Sequence, residues 1–393
     1  MKILAAFDKF KDSMTAATAC EAAARGARAV YGTQVTVVQT PLTDGGEGFC
    51  NILTNAAKGH IETHVVCGPL GADLEAPLGW CEIETLPAAV QRSLNLNQGK
   101  IAIIEMAAAA GLEQVPAERR HPKNCTTYGV GELIRIAVAE SADAILLGIG
   151  GSATSDLGLG ALQALGLQFI NSEGHLVEQA LPRDWPHIQT IQGKLDVPTP
   201  PIFIACDVDN PLLGPRGAAA IYGPQKGLTA NELDAFETQA AHMAEQLCQH
   251  FAQPSTCQEI PGSGAAGGIG FGLNLACGAH YLAGFDLVTD WLELNSKIAA
   301  ADLILSGEGC IDRSSLDGKG PVALAGAAHT ANKPSILLAG RVDPNAQEEL
   351  CRIFPNCTVA AITPEGYSLQ QALIEGSINL QRTTADTLRQ HAS

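Results

Sequence analysis

Basic residues are scarce in this chain of 393: 24 Lys and Arg stand against 41 Asp and Glu, giving a formal net charge of −17. A nucleic-acid partner requires clustered Lys and Arg to take up its phosphates, so none is expected. The acidic excess leaves room for a small anionic substrate, because a site is local. It does imply that any phosphate is received by backbone N–H groups, a few lysines and a divalent ion. Long apolar runs are also lacking. No stretch of about 18 apolar residues without charge occurs, so no membrane-spanning helix is expected. The apolar run near the start, residues 3–7, is too short for a secretion signal. The cytoplasm is therefore the expected location.

Other absences narrow the chemistry. The twelve cysteines contain no Cys-x-x-Cys pair, which argues against a zinc site or a dithiol redox motif. A disulfide framework is not expected in so long and core-rich a chain, and the thiols read as small buried fillers. There is no G-x-x-x-x-G-K-[ST] and no G-x-S-x-G, and the ten histidines fit no catalytic triad or metal pair. P-loop enzymes and serine hydrolases are thereby set aside.

What is present is core and glycine. At 46% hydrophobic and 17% charged, with 41 glycines, the chain can bury a large interior around many tight turns. Its length favours two domains. Short apolar runs that end in Gly, Asp or Ser and lead into helical patterns mark the βα units of a parallel sheet. Such runs are expected at residues 2–7, 35–38, 302–306, 335–339 and 358–362. Thr15 is placed to cap a helix reaching about residue 30. The middle differs: strands at 101–105, 144–148 and 202–206 are separated by Pro-rich or polar stretches, and a long helix is expected over 230–251. The chain thus reads as α/β with two domains. Residues 1–67 and 284–393 form a discontinuous doubly wound parallel-sheet domain, and 68–283 form a second α/β domain inserted in it. A Gly-Pro turn signal near residue 68 sets the first boundary.

In open α/β sheets ligands bind beyond the carboxyl ends of the strands. That rule selects Asp8 and Lys11 after the first strand, Asp44 after the second, and Glu308, Asp312 and Lys319 after a late one. Singly, such an Asp is most often a turn or cap residue; as a set they point to one site. A second cluster, Gly150-Gly151-Ser152-Ala153-Thr154-Ser155-Asp156, sits between an apolar strand and an apolar helix. Its glycines allow close anion approach, and its hydroxyls and carboxylate suit phosphate or Mg²⁺. A third pairs Cys206-Asp207-Val208-Asp209-Asn210-Pro211 with Gly223-Pro224-Gln225-Lys226-Gly227. There two acids at i and i+2 offer a metal site or a proton acceptor, or an Asx turn, and Lys226 reads as an exposed-loop cation. The fourth, around Gly262, Gly264 and Gly267, matches G-x-G-x-x-G. It lacks the preceding strand and distant acid of a dinucleotide fingerprint, so it reads as a phosphate loop or a tight helix start.

Taken in order, the motifs Asp8-Lys-Phe-Lys11, Asp44-Gly-Gly-Glu-Gly48, Gly150-Gly-Ser-Ala-Thr-Ser-Asp156, Cys206-Asp-Val-Asp-Asn-Pro-Leu212, Gly223-Pro-Gln-Lys-Gly227, 262–268, and Gly307-Glu-Gly309 with Ile311-Asp312 and Gly318-Lys319 resemble the type I bacterial glycerate kinases over residues 2 to about 365. The resemblance implies a flavodoxin-like domain carrying an inserted α/β domain. It also implies Mg²⁺-dependent transfer of the γ-phosphoryl group of ATP to D-glycerate, with 2-phosphoglycerate as product. Departures from the family pattern are Lys9 for Ser, Asp12 for Gly, Ser155 for Asn, Cys310 for Arg, and Arg341 where a small residue is common. Lys9 or Arg341 is placed to restore the charge missing at 310.

Phosphoryl transfer demands positioning and charge neutralisation. On this reading Lys11 and Lys226, with Asp8 and Arg341, meet the substrate. Asp44 or Asp207 accepts the proton of the attacking hydroxyl, and Lys226 assists. Gly150, Gly151, Ser152, Thr154, Gly264 and Gly267 cradle phosphates, and Glu308, Asp312 and Lys319 serve the nucleotide. Asp156 or Asp209 holds Mg²⁺. The expected partners are D-glycerate and ATP, a homo-oligomer being left open. Two alternatives are carried: a kinase for a related hydroxy acid, and a non-catalytic sugar-acid sensor on the same scaffold.

Overall fold

The computed structural model describes residues 1–317 and 320–392. The chain divides into two compact units, Met1–Asp44 with Val288–Ser393, and Gly45–Leu287.

The first unit is built on a five-stranded parallel sheet in the order Cys357–Ala361, Ser335–Ala339, Leu303–Gly307, Lys2–Phe7, Thr36–Gln39. Leu303–Gly307 and Ser335–Ala339 are buried at every position, as is Lys2–Phe7 beyond its first residue. Continuous burial is what a parallel strand covered by helices on both faces requires, and it explains the unbroken apolar runs. In chain order the strands lie 2-1-3-4-5 in space, the flavodoxin-like arrangement, so the order reverses between Lys2–Phe7 and Leu303–Gly307. There Ile3 pairs with Leu303 and Phe7 with Gly307. The two strands therefore end side by side, delivering Asp8 and Glu308 to the same edge.

Helix Ala16–Tyr31 begins as expected: the Thr15 hydroxyl accepts the Thr18 N–H at 3.2 Å. Its inner face is Ala19, Ala22, Ala23 and Ala27, all fully buried, with Phe7, Leu303 and Leu305 beneath. Each large apolar side chain enclosed in this way contributes about 1.5–3 kcal/mol. A short parallel pair, Cys310–Ile311 with Arg341–Val342, sits after two of the sheet strands.

The second unit carries a six-stranded sheet in the order His280–Leu282, Ile202–Ala205, Ala144–Gly148, Lys100–Glu105, Asp73–Glu82, His60–Cys67. The first four are parallel and the last two antiparallel. The long helix is Leu233–His250, preceded by a 3₁₀ turn at Ala230–Glu232.

The unit division differs from the sequence-based boundaries. The Gly68-Pro69 signal marks the tight turn of the hairpin joining His60–Cys67 to Asp73–Glu82, closed by Gly68 N–H to the Ala72 carbonyl at 2.7 Å. Helix Phe49–Ala56 belongs with this sheet as well: the Cys50 thiol donates to the Ile103 carbonyl, and Glu105 accepts from the helix start. The first division therefore falls after residue 44 rather than 67, and the return falls after 287 rather than 283.

Candidate functional site

In the first unit, four carboxylates gather at the strand-order reversal. Asp8, only 8% exposed, follows Lys2–Phe7, and Glu308 follows Leu303–Gly307. Burial pushes the Glu308 carboxyl up to about 7. The Asp8 carboxylate adds to this, a hydrogen bond from Ser315 opposes it, and Asp44 and Asp312 contribute further repulsion. The Ser315 hydroxyl donates to Glu308 Oε1 at 3.2 Å. Lys9 Nζ lies 3.2 Å from Asp44 Oδ1, so the residue found where the family has Ser partly neutralises the cluster. Asp12, found where Gly is common, has φ of 60°, a left-handed conformation that Asp tolerates better than most residues.

Beside the carboxylates is a cavity of about 230 Å³ with Phe10, Ile362, Tyr367 and Leu373 in its wall and Lys11 and Arg341 on its lining. Arg341 pairs with Cys310 in the short two-stranded ladder, and its guanidinium interacts with that thiol. The charge absent at 310 is thus present on the adjacent strand, in register. Lys319, with Gly318, lies outside the described residues.

In the second unit, the residues expected to cradle phosphate or metal are turned inward. Asp156 is fully buried and accepts four hydrogen bonds: from the Thr127 N–H and hydroxyl at 2.8 Å each, and from the Gly158 and Gly160 N–H groups at 3.2 Å each. Burial raises its pKa against those donors. Its oxygens are occupied in tying the 156–160 turn to the start of helix Tyr128–Ala139, so it does not suit the metal-ligand role expected for it. Lys226 is not an exposed cation. It is 1% exposed, at the end of the 3₁₀ turn Pro224–Lys226, and its ammonium donates to the Ser152 hydroxyl at 2.9 Å and to the Thr154 carbonyl. Burial lowers its pKa to about 8, with Asp156 as the main opposing influence.

The glycine loops are explained by chain-to-chain contact. A Cβ on Gly150 would stand 2.6 Å from the Gly46 nitrogen, and one on Gly267 would stand 2.1 Å from the Thr154 carbonyl oxygen. Gly151 and Gly264 stand in the same two loops, and Thr154 itself is fully enclosed. Asp207 accepts the Phe285 N–H at 2.8 Å, holding the start of helix Gly284–Trp291. The Asp209 side chain is 74% exposed and ion-paired to Arg216 at 2.7 Å. The structure therefore joins Asp8, Lys9, Asp44, Glu308 and Asp312 in one group, and Ser152, Thr154, Asp156 and Lys226 in another.

Three contributing residues escaped the sequence reading. Glu105, 5% exposed, accepts from the Gly48 and Cys50 N–H groups at 3.1 Å each; an acid closing the apolar run at 101–104 was its available signal. Thr127 and Ser315 act only through partners distant in the chain or in an irregular turn, and no local pattern marks them.

The family model described as "Glycerate kinase family" matches residues 3–392. The glycerate kinase of Bacillus subtilis is 36% identical, covering 98% of this chain and 96% of that protein. A glycerate 2-kinase of Escherichia coli is 37% identical, covering 86% of this chain and 85% of its own length. Among solved structures, that of a putative glycerate kinase 2 from Salmonella typhimurium LT2 superposes with a TM-score of 0.75 at 34% identity, covering 100% of this chain and 98% of that one. With its flavodoxin-like sheet, the carboxylates at the reversal and a match over nearly its whole length, the chain belongs to the glycerate kinase family.

Proposed function

We propose that this protein is a glycerate kinase that transfers the γ-phosphoryl group of ATP to the 2-hydroxyl of D-glycerate, giving 2-phosphoglycerate and ADP. The observation that carries the reading is the end-to-end similarity to glycerate kinases, a glycerate 2-kinase among them. The carboxylate group at the strand-order reversal supports it, since that edge is where open α/β sheets hold ligands.

The reacting groups are assigned to the first unit. Glu308, at the end of a strand beside the order reversal, is the proton acceptor for the attacking hydroxyl. Ser315 orients it, and Asp8 and Asp44 set its basicity. This assignment replaces Asp207, whose carboxylate holds a helix start, and shifts Asp44 to a supporting role beside Lys9. Lys11 and Arg341, lining the apolar cavity, are placed to neutralise phosphate oxygens, with the cavity wall taking the base of the nucleotide. Arg341 supplies the charge that Cys310 cannot.

The residues fit Mg²⁺: a half-buried group of carboxylates repelling one another is short of positive charge, and Mg²⁺ keeps most of its waters while binding one or two carboxylates. Asp8 and Asp312 would hold it, and bound there it would supply neutralisation of the β- and γ-phosphate oxygens. Asp156 and Lys226 brace the second unit internally. The test is ADP release by purified protein with Mg-ATP. Release that depends on D-glycerate supports the reading; no release above the substrate-free rate from folded protein refutes it.

A further inference from the structure

The second unit contains a cavity of about 380 Å³ that the residues discussed above do not form, within the size range of small-ligand sites. Its lining includes Arg119, Arg120, Arg183, Asn124 and Gln179, with Glu118 as its one carboxylate. Three guanidiniums in one cavity are conspicuous in a chain with a net charge of −17. Several arginines elsewhere are neutralised by acids, as in Arg25–Glu21, Arg135–Asp196, Arg216–Asp209, Arg352–Glu349 and Arg389–Asp386. Among the described residues Arg119 and Arg120 form no salt bridge. Among the described residues the Arg119 side chain has no hydrogen-bond partner, and Arg120 spends only its Nε, on the Val115 carbonyl at 3.1 Å, leaving both terminal nitrogens.

The neighbouring groups fix this arrangement. Arg183 donates to Asn124 Oδ1 at 3.3 Å and approaches Asp184 at 3.7 Å. His121 and Lys123 do not add charge to the cavity, because both are taken by Glu232 at 3.2 Å. The His121 Nδ1 accepts the Lys123 N–H, so Nε2 carries the proton directed at Glu232. The lining thus holds three guanidiniums against the Glu118 carboxylate, with Asp184 beside Arg183. A guanidinium fork matches phosphate and carboxylate oxygens in pairs, and amides such as Gln179 add neutral donors.

We infer that this Arg119–Arg120–Arg183 cavity is a binding site for a small multiply charged organic acid, a phosphorylated carboxylate of the product class. D-glycerate brings one anionic group to the two guanidiniums of Arg119 and Arg120, whereas a phosphorylated three-carbon acid brings a phosphate and a carboxylate, one for each. The kinase reading supplies the ligand's name, whereas the charge complement stands apart from it.

Titration calorimetry on the full chain without ATP tests the inference, using 2-phosphoglycerate and D-glycerate as probes. The expected result is 2-phosphoglycerate binding at least tenfold tighter than D-glycerate and weakening with salt. Arg119→Met, which breaks no hydrogen bond or ion pair among the described residues, and Arg183→Met each weaken it at least tenfold. Glu118→Gln, which removes the opposing carboxylate, tightens it severalfold, an effect that a merely structural role would not give. Binding unmoved by all three substitutions, or equal for the two acids, overturns the inference. Turnover with arginine-independent binding would sink this site and spare the kinase; arginine-dependent binding without turnover would do the reverse.

Discussion

Glu308→Gln is the substitution that separates a tuned acceptor from a structural acid. Its carboxyl is held at about 7 against an ordinary 4.5. The folded state therefore binds this proton more tightly than the unfolded chain. The stabilising contribution is full below about pH 4.5 and is lost as pH rises through about 7. A displacement of that size corresponds to roughly 3 kcal/mol between the two limits, to be reduced for partial solvent access. Glutamine keeps the shape and removes the charge, at the cost of weakening the 3.2 Å Ser315 hydrogen bond by about 1 kcal/mol. The net expectation is a variant more stable than wild type by about 2 kcal/mol at pH 8.5 and equal or slightly weaker at pH 5. Urea unfolding at the two pH values reads this directly. Turnover should fall by at least about 100-fold, and the acidic limb of the wild-type kcat/KM profile should vanish. A stability difference that does not change between pH 5 and 8.5 would refute the tuning. Retained activity with an unchanged pH profile would refute the catalytic assignment.

Lys226→Met is expected to destabilise the protein by about 3 kcal/mol, since it leaves the buried Asp156 without its nearby cation; an unchanged denaturation midpoint would return Lys226 to a binding role. Asp156→Asn faces four donors with an amide that cannot accept from all of them and should cost about 2–4 kcal/mol, again read by urea unfolding. Arg341→Ser should raise the KM for ATP or D-glycerate about tenfold or more, and the double change Cys310→Arg with Arg341→Ser should restore it. A double variant as poor as the single one would show that the paired strands do not share one charge.

Much of the first unit was legible because its strands are apolar runs that stop at a charged residue. Phe7-Asp8 and Gly307-Glu308 announce both a buried strand and what waits beyond its carboxyl end. The outer hairpin of the second unit was not. His60, Glu62 and His64 alternate with residues that are also polar or exposed, since this strand lies at the sheet edge. Its turn, Gly68 to Gly71, carries the same signal as a linker. Lys226 misled for a related reason: glycines on both sides of a Pro-Gln-Lys stretch describe a loop, and only the fold shows the loop turning its lysine onto Ser152. Asp156 and Asp207 looked like ligands because carboxylates after strands serve turns and caps as readily as metals, and backbone donors brought from afar decide between the two. The exchange of charge between positions 310 and 341 was visible as two separate departures, and only the ladder shows that they face each other.

The most direct test of the account is ³¹P and ¹H NMR of the product formed from Mg-ATP and D-glycerate. Stoichiometric ADP and 2-phosphoglycerate are expected, with the phosphoryl group on the secondary hydroxyl. Phosphate on the primary hydroxyl would contradict the proposed acceptor, and hydrolysis to free phosphate with glycerate unchanged would contradict the kinase itself.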